Sequence, residues 1–175
     1  GNDDFLTENG IEISGEVHAA LEKLRKEGKA SILVASHGRC IGIIGLSDVL
    51  RSNARDMVER LSDMRTATVL LTGDNRLTAE YFAKQVGISS VRAELLPEEK
   101  VSNIEAMIGE GKTVCMIGDG VNDAPALKTA HVGVAMGGMG SDIAVEAADI
   151  ALMGDDISKI PYLKRLSRSA LRTIK

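Results

Sequence analysis

Short continuous apolar runs alternate along this chain with stretches whose apolar residues recur at helical spacing. From residue 67 onward the alternation is regular, which predicts a parallel β-sheet with helices on both faces. The predicted strands of this part are 67–71, 91–94, 113–117, 132–135 and 150–153. The predicted helices are 77–86, 98–108, 123–128, 142–147 and 157–174. The fold class is therefore α/β.

The first part of the chain has a different pattern. Apolar residues at helical spacing predict a helix over 13–27, with Ser14 as its N-cap and Gly28 directly after its end. Two β-rich runs, 31–35 and 40–46, follow and are separated by a hairpin-like turn at 36–39. We therefore expect a small α+β unit over 1–46, then a second unit over 47–162 that opens with a helix at 49–64. The remaining residues, 163–175, are predicted to form a basic helix.

Composition narrows the function classes. A net charge of −4 and an aromatic content of 2% argue against a nucleic-acid-binding surface. Cys40 and Cys115 lie in apolar runs without C-x-x-C spacing, so we expect buried thiols in a reducing compartment. No apolar stretch approaches the roughly 20 residues that span a bilayer, so we expect the fragment itself to be soluble.

The strongest chemical signal is the run G-D-G-V-N-D-A-P-A-L over 118–127, which follows the predicted strand at 113–117. Asp119 comes where that strand ends, and Asp123 follows about one helical turn later. Ligands of open parallel sheets bind at the carboxyl ends of the strands. Two neighbouring carboxylates repel each other unless a cation or proton lies between them, and Mg²⁺ prefers such oxygen ligands. The alternative is a polar turn in which Asn122 or Asp123 caps the next helix.

This run resembles the hinge signature of P-type cation ATPases, which belong to the haloacid dehalogenase (HAD) superfamily. Segment 71–75 resembles the T-G-D element of that family, and segment 96–100 resembles its P-x-x-K element. Gly1 and Asn2 resemble a glycine–asparagine pair in the nucleotide domain of heavy-metal pumps. The resemblance implies a HAD-like, Rossmann-like fold. It also implies that 1–46 ends a nucleotide-binding domain, that 47–162 is the second half of a phosphorylation domain, and that 163–175 leads toward the membrane.

The resemblance also implies roles for individual residues. Those that would bind or neutralise the phosphoryl group are Thr72, Gly73 and Lys100. Those that would hold Mg²⁺ are Asp119 and Asp123, with Asn122 ordering its surroundings. Those that would contact ATP are Gly1, Asn2 and, through the ribose, Asp74. Two simpler interpretations stay open: residues 72–75 form a turn in which Asp74 or Asn75 caps a helix, and Lys100 is a solvated partner of Glu98 or Glu99.

The nucleophile motif of the family, D-K-T-G-T, does not occur in this sequence. We therefore expect part of a catalytic module at the cytosolic face of a membrane protein that exports a heavy-metal cation, with zinc or cadmium favoured and copper next. The chain alone is expected to be inactive, and another chain or a second copy is expected to fill the place of the missing strand. Two alternatives are a stand-alone HAD-like phosphatase, which would need a D-x-D pair near its start, and a non-catalytic nucleotide-binding module.

Overall fold

The structure is a computed structural model that describes residues 1–47, 49–118, 121–136, 142–154 and 156–174. Asp119, the first acid of the predicted magnesium pair, lies outside the described residues, as does Lys175 at the end of the predicted basic helix.

Helices and strands follow one another in the order that the apolar pattern predicts, with one additional helix at the start. The helices are α1 (Asp3–Glu8), α2 (Gly15–Lys26), α3 (Ala54–Asp63), α4 (Arg76–Val86), α5 (Pro97–Gly109), α6 (Ala124–Thr129), α7 (Asp142–Ala147) and α8 (Lys159–Ile174). The strands are β1 (Lys29–Ser36), β2 (Arg39–Ser47), β3 (Val69–Leu71), β4 (Ser90–Arg92), β5 (Cys115–Gly118), β6 (Val132–Met136) and β7 (Ile150–Leu152). A short 3₁₀ turn, Val121–Asp123, precedes α6.

Strands β1 and β2 form the predicted antiparallel hairpin. His37 and Gly38 both have positive φ, at 49° and 75°, which matches the right-handed twist of the two strands. Helix α2 packs on one face of this hairpin, and Leu33 of β1 is almost fully buried there. Ser14 caps α2 by accepting a hydrogen bond from the Val17 N–H at 3.3 Å, as the sequence predicts.

Helix α1 was not predicted. In this part of the chain only Gly1 and Asn2 were identified, as residues that would contact a nucleotide. The Asn2 side chain caps α1 by accepting a hydrogen bond from the Phe5 N–H at 3.0 Å. Asp3 in its first turn bonds the Arg25 guanidinium at 2.7 and 3.1 Å, and this contact lowers the pKa of the Asp3 carboxyl. The short helix is therefore stabilised by a cap and by a contact with α2, neither of which an apolar pattern reveals.

The second part of the chain contains the predicted parallel strands in two hydrogen-bonded sets. One set pairs β3 with β4, and the other has the order β5–β6–β7. One apolar cluster covers the second set with α3 and α8, and it contains Leu61, Val134, Leu152 and Ile160. A second cluster on α5, α6 and β5 contains Ile104, Met116, Ala126 and Leu127. Neighbouring strand residues face opposite clusters, so helices cover both faces of this sheet.

Strands β3 and β5 each have a hydrogen-bonded neighbour on one side only, β4 and β6 respectively. Among the residues that the structure describes, no strand joins these two edges. Unpaired edges leave backbone donors and acceptors without strand partners. Strands β4 and β7 likewise have one strand neighbour in the described part of the chain, so each set ends in two free edges.

Two sequence expectations differ from the structure. The helix predicted to begin at residue 49 begins at Ala54, and the preceding Asn53 donates from its amide to the Asp156 carboxylate at 3.1 Å instead of capping α3.

The cysteines are not fully buried: Cys115 is exposed and Cys40 is half-buried. Cys115 is the first residue of β5, where the strand begins at the surface.

Helix α8 is a single helix across the predicted boundary between residues 162 and 163. The helix is held by Lys164, which donates to the Thr66 hydroxyl, and by Arg168, whose guanidinium donates to the Met64 carbonyl at 3.1 Å. The later apolar side chains Leu171 and Ile174 are exposed. Within the described ranges, none of the helices combines the length and the apolar character that crossing a bilayer requires.

The hairpin part and α4 touch through a glycine. Gly28 ends α2 with a φ of 73°, and a Cβ added to it would lie 2.1 Å from the ring of Tyr81. The Tyr81 ring in turn packs edge-to-face on Phe82, with ring centroids 5.4 Å apart. The absence of a side chain at position 28 therefore allows α2 and α4 to approach this closely.

Candidate active site

Lys100 and Asp123 form an ion pair beside the carboxyl end of β5. The Lys100 ammonium donates to Asp123 Oδ1 at 2.7 Å, and the two side chains are only 15% and 13% exposed. The residues are 23 positions apart in the chain, so the tertiary fold brings them together. An ion pair so far removed from water pays a large desolvation penalty and is weak evidence for a stabilising role. The surrounding fold positions it where parallel sheets bind their ligands.

The local geometry argues against the capping interpretation for Asp123. Asp123 occupies the N-cap position of α6, yet its side chain makes no capping hydrogen bond. Its carboxylate points to Lys100 instead. Asn122 is exposed in the 3₁₀ turn, and within the described part of the chain its side chain has no hydrogen-bond partner. The Asn122 side chain is therefore available for a ligand at this end of the sheet, whereas Asp123 binds Lys100 through Oδ1.

Gly118 at the end of β5 makes room for Asp123. A Cβ at position 118 would lie 2.7 Å from the Asp123 Cβ and 2.9 Å from its Oδ2. Ordinary Cβ contacts are longer, so only glycine permits the aspartate to fold back over the end of the strand. The glycine that precedes Asp119 thus has a steric role in placing Asp123.

Residues 72–75 form a tight turn after β3. The Thr72 hydroxyl donates to Asp74 Oδ2 at 2.9 Å and accepts from the Asp74 N–H at 3.1 Å. Asn75 caps α4 by accepting from the Thr78 N–H at 3.1 Å. The turn-and-cap alternative is therefore correct for Asn75, and it does not exclude phosphate binding, because Gly73 is exposed and Thr72 is half-buried.

The turn is attached to the segment that leads into α5. The Thr72 carbonyl accepts from the Leu95 N–H at 3.1 Å, and the Asp74 carbonyl accepts from the Glu94 N–H at 2.9 Å. A Cβ at Gly73 would lie 3.3 Å from the Leu95 carbonyl oxygen, a tight contact. Lys100 lies one turn into the helix that follows. The structure therefore links the T-G-D turn to the helix that bears Lys100, and Lys100 to Asp123.

Asp74 also borders an open cleft of about 280 Å³. The residues that line it are Val49, Leu50, Arg51, Ala54, Asp74 and Phe82. Its lining residues come from the connection after β2, the start of α3, the turn after β3 and the middle of α4. A second cleft, of about 430 Å³, runs along α4 and β4 and contains none of the predicted site residues.

Gly1 and Asn2 lie in the hairpin part. Gly1 exchanges two backbone hydrogen bonds with Leu33, both 2.9 Å long, and Asn2 uses its side-chain oxygen to cap α1. Among the described residues, no hydrogen bond or ion pair joins either of them to Thr72, Lys100 or Asp123. Gly1 and Asn2 are therefore bound to their own part of the chain, to β1 and α1 respectively.

The metal-ligand prediction concerns Asp119 and Asp123, and Asp119 lies outside the described residues. Within the described ranges, no group of three or more His, Cys, Asp or Glu side chains is arranged to hold a metal ion. Mg²⁺ does not require such a cage, because it keeps several waters and binds through one or two carboxylates together with substrate phosphates. The oxygen atoms of Asp123 and Asn122 are of the chemical type that this ion prefers.

Sequence reasoning missed one residue of this region, Glu94. Its φ is 61°, and its carboxylate accepts a hydrogen bond from the Arg76 N–H at 3.3 Å. Glutamate carries no sequence signal for a left-handed backbone, unlike glycine or asparagine. Only the coordinates reveal that it contacts the T-G-D turn.

Residues 1–131 match the family model of the haloacid dehalogenase-like hydrolases. A probable cadmium-transporting ATPase of Staphylococcus aureus strain MRSA252 is 43% identical over 98% of this chain and 24% of its own length. A copper-exporting P-type ATPase of Staphylococcus aureus strain JH9 is 41% identical over 100% of this chain and 22% of its own length.

Among solved structures, the fold resembles a zinc-transporting PIB-type ATPase with a TM-score of 0.76 and 34% identity. The match covers 93% of this chain and 26% of that protein. The chain thus spans about a quarter of the length of the relatives it matches.

Proposed function

The chain belongs to the haloacid dehalogenase-like hydrolases, and from that premise we propose that it forms part of the cytosolic catalytic region of a P-type ATPase that exports heavy-metal cations. In this proposal residues 1–46 complete a nucleotide-binding domain and residues 47–162 form the second half of a phosphorylation domain. Residues 163–175 continue toward the membrane. The names of the relatives, which transport cadmium, copper and zinc, support the assignment to heavy metals.

The single observation that carries the proposal is the Lys100–Asp123 ion pair. Lys100 lies in the first turns of α5, where the positive end of the helix dipole disfavours a cation. Asp123 leaves its capping position unused to reach the lysine. Both residues therefore forgo the arrangement that would best stabilise their own helices. Such an arrangement is expected when the lysine binds a negatively charged ligand and the aspartate binds the metal ion that accompanies it.

The phosphoryl group is assigned to three described residues. The Thr72 hydroxyl and the Gly73 N–H would donate hydrogen bonds to phosphoryl oxygens, and the Lys100 ammonium would neutralise their charge. Phosphoryl transfer depends mainly on positioning and on charge neutralisation, which these groups supply. The acceptor of the phosphoryl group would be the aspartate of a D-K-T-G-T motif elsewhere in the full-length protein.

Magnesium would be held by Asp123 and Asp119, with Asn122 ordering the ligands around it. These residues suit the ion because of the atoms they offer at the end of β5. Asp123 provides a largely buried carboxylate and Asn122 an exposed amide oxygen, and Mg²⁺ prefers hard oxygen ligands of this kind. The ion would supply charge neutralisation of the phosphoryl oxygens. Lys100, which donates to Asp123 here, would share its positive charge between that carboxylate and the phosphoryl group.

ATP is the proposed phosphoryl donor, with Gly1 and Asn2 near its base and Asp74 near its ribose. Asp74 borders the open cleft between residues 49–54 and α4, which supports a position next to a bound nucleotide. Asn2 uses its oxygen for capping, so its amide N–H groups would be the ones to contact the nucleotide. The transported cation would bind elsewhere in the protein.

A phosphorylation assay of the full-length protein tests this function. Incubation with radiolabelled ATP and Mg²⁺ should give an acid-stable, hydroxylamine-labile phosphoenzyme, the signature of an aspartyl phosphate. Thr72→Ala should lower the rate of its formation by about 10²-fold, since it removes a donor to the developing charge. Thr129→Ala, which removes an exposed hydroxyl on α6, should leave that rate unchanged and serves as the control.

The same assay separates the alternatives. A stand-alone phosphatase would hydrolyse small phosphate monoesters in the presence of Mg²⁺ without stimulation by a heavy-metal cation. A non-catalytic module would bind nucleotide without forming a phosphoenzyme. Zn²⁺, Cd²⁺ and Cu⁺ are supplied in parallel, because the cadmium- and copper-transporting relatives are almost equally similar to this chain. Absence of phosphoenzyme under all three conditions would contradict the proposal.

We expect the isolated 175-residue chain to bind nucleotide weakly and to hydrolyse ATP negligibly, because it contains no D-K-T-G-T motif. The free edges of β3 and β5 favour pairing with another strand, so self-association by pairing or swapping is proposed for the isolated chain. Analytical ultracentrifugation measures this. A stable monomer that unfolds in one cooperative transition would contradict the self-association, and phosphoenzyme formed by the isolated chain would contradict its inactivity.

A further inference from the structure

Glu94 has a backbone conformation that glutamate rarely adopts. Three non-glycine residues with positive φ lie in the described part of the chain: His37, Arg65 and Glu94. His37 belongs to the hairpin turn, and Arg65 directly follows the end of α3. Glu94 is the one that contacts the T-G-D turn. Non-glycine residues in the left-handed region are unfavourable and persist only where the surrounding structure holds them.

The hydrogen bonds of Glu94 show what holds it there. Its backbone N–H donates to the Asp74 carbonyl at 2.9 Å, and its Oε1 accepts from the Arg76 N–H at 3.3 Å. These two bonds reach the turn on either side of the Asn75 cap. With the Leu95 N–H bonded to the Thr72 carbonyl, residues 94 and 95 contact the turn at three points. The turn is therefore fixed against the end of β4.

The same segment sets the start of α5. Leu96 occupies the N-cap position of α5, and its N–H donates to Glu99 Oε2 at 2.8 Å. The Lys100 N–H donates to the Leu96 carbonyl at 3.1 Å. Because Glu94 redirects the chain between β4 and this helix, its conformation determines how Lys100 is placed relative to Thr72. A single residue thus links the two proposed phosphate-binding elements.

We propose that Glu94 is a positioning residue, which uses its side chain and its left-handed backbone to hold the Thr72–Asp74 turn at a fixed distance from Lys100. The inference rests on the proposed function, because the quantity it controls is the affinity of this site for a phosphoryl group. Glu94 is exposed, and it is assigned no contact with the phosphoryl group itself.

Substitutions of Glu94 in the full-length protein separate the side chain from the backbone. Glu94→Gly keeps the left-handed conformation and removes the carboxylate, whereas Glu94→Gln keeps an acceptor oxygen for the Arg76 N–H. The probes are orthovanadate, a phosphate mimic, and inorganic phosphate. Glu94→Gly should weaken the inhibition by both about five- to tenfold, which is the size expected for the loss of one ordinary, solvent-exposed hydrogen bond. Glu94→Gln should stay within about twofold of the unsubstituted protein.

The controls test whether the effect is specific to the phosphate site. ATP affinity and the thermal unfolding midpoint should be unchanged in Glu94→Gly, and Glu98→Ala, an exposed substitution on the first turn of the same helix, should change nothing. A Glu94→Gly protein with unaltered vanadate inhibition would overturn the inference. So would equal losses of vanadate affinity, ATP affinity and thermal stability, because they would indicate a general structural role.

The two proposals fail in different ways. If the unsubstituted full-length protein forms no phosphoenzyme and is not inhibited by vanadate, the proposed function is wrong and the inference about Glu94 is wrong with it. If the unsubstituted protein is phosphorylated and inhibited by vanadate while Glu94→Gly behaves identically, only the role of Glu94 is wrong.

Discussion

Replacing Lys100 by alanine in the full-length protein is expected to lower the rate of phosphoenzyme formation about 10²- to 10³-fold, because a preorganised cation that neutralises developing charge is lost. The measurement is the initial rate of acid-stable labelling from radiolabelled ATP. Lys112→Ala is the matched control, since Lys112 pairs with Glu110 on the exposed surface and should not affect labelling. A labelling rate close to that of the unsubstituted protein would contradict the assignment of Lys100 to the site.

The same substitution should also reduce stability. Without Lys100, the Asp123 carboxylate is left largely buried and unpaired, which is expected to cost about 2–4 kcal/mol in the free energy of unfolding. The double variant Lys100→Ala with Asp123→Ala removes that unpaired charge and should recover part of the loss without recovering activity. Recovery of stability with continued inactivity would separate the structural role of the pair from its catalytic role.

Replacing Gly118 by alanine is expected to have the second-largest effect. The added methyl group would lie 2.7 Å from the Asp123 Cβ, so the aspartate must move away from Lys100. We expect the free energy of unfolding to fall by about 1–3 kcal/mol, the loss typical of overpacking. Denaturant titration measures this change. The rate of phosphoenzyme formation should fall at least about tenfold, because small displacements of positioning groups are costly.

Gly109→Ala provides the control for that experiment. Gly109 is the last residue of α5, and nothing lies within 4 Å of a Cβ added there. The substitution should be neutral or should stabilise the helix by up to about 1 kcal/mol. If both glycine variants behaved alike, the close approach of Asp123 to the end of β5 would not matter for function.

The sequence predicted those parts of the fold that depend on local pattern. Helix α4 lies between a capping Asn75 and a left-handed Gly87, and α5 begins at Pro97, so each end carries a chemical signal. The hairpin turn at His37 and Gly38 was predicted in the same way. The start of α3 was predicted too early. Asn53, which precedes the helix, bonds Asp156, a residue 103 positions away, and no local pattern contains such a contact.

The candidate site was predicted in its residues but not in its contacts. The resemblance to P-type ATPases identified Thr72, Lys100 and Asp123, yet the pairing of Lys100 with Asp123 depends on how α5 packs beside β5. The backbone conformation of Glu94 could not be predicted from the sequence for a different reason. Hydrogen bonds to the neighbouring turn impose it, and it opposes the intrinsic preference of glutamate.

The contact between Gly28 and Tyr81 has a consequence for how this sequence can vary. Any larger residue at position 28 would meet both an unfavourable backbone angle and an aromatic ring contributed by a helix far along the chain. The displaced ring would press on Phe82, which borders the cleft beside Asp74. Substitutions at this surface turn are therefore restricted by packing that extends to the cleft beside Asp74.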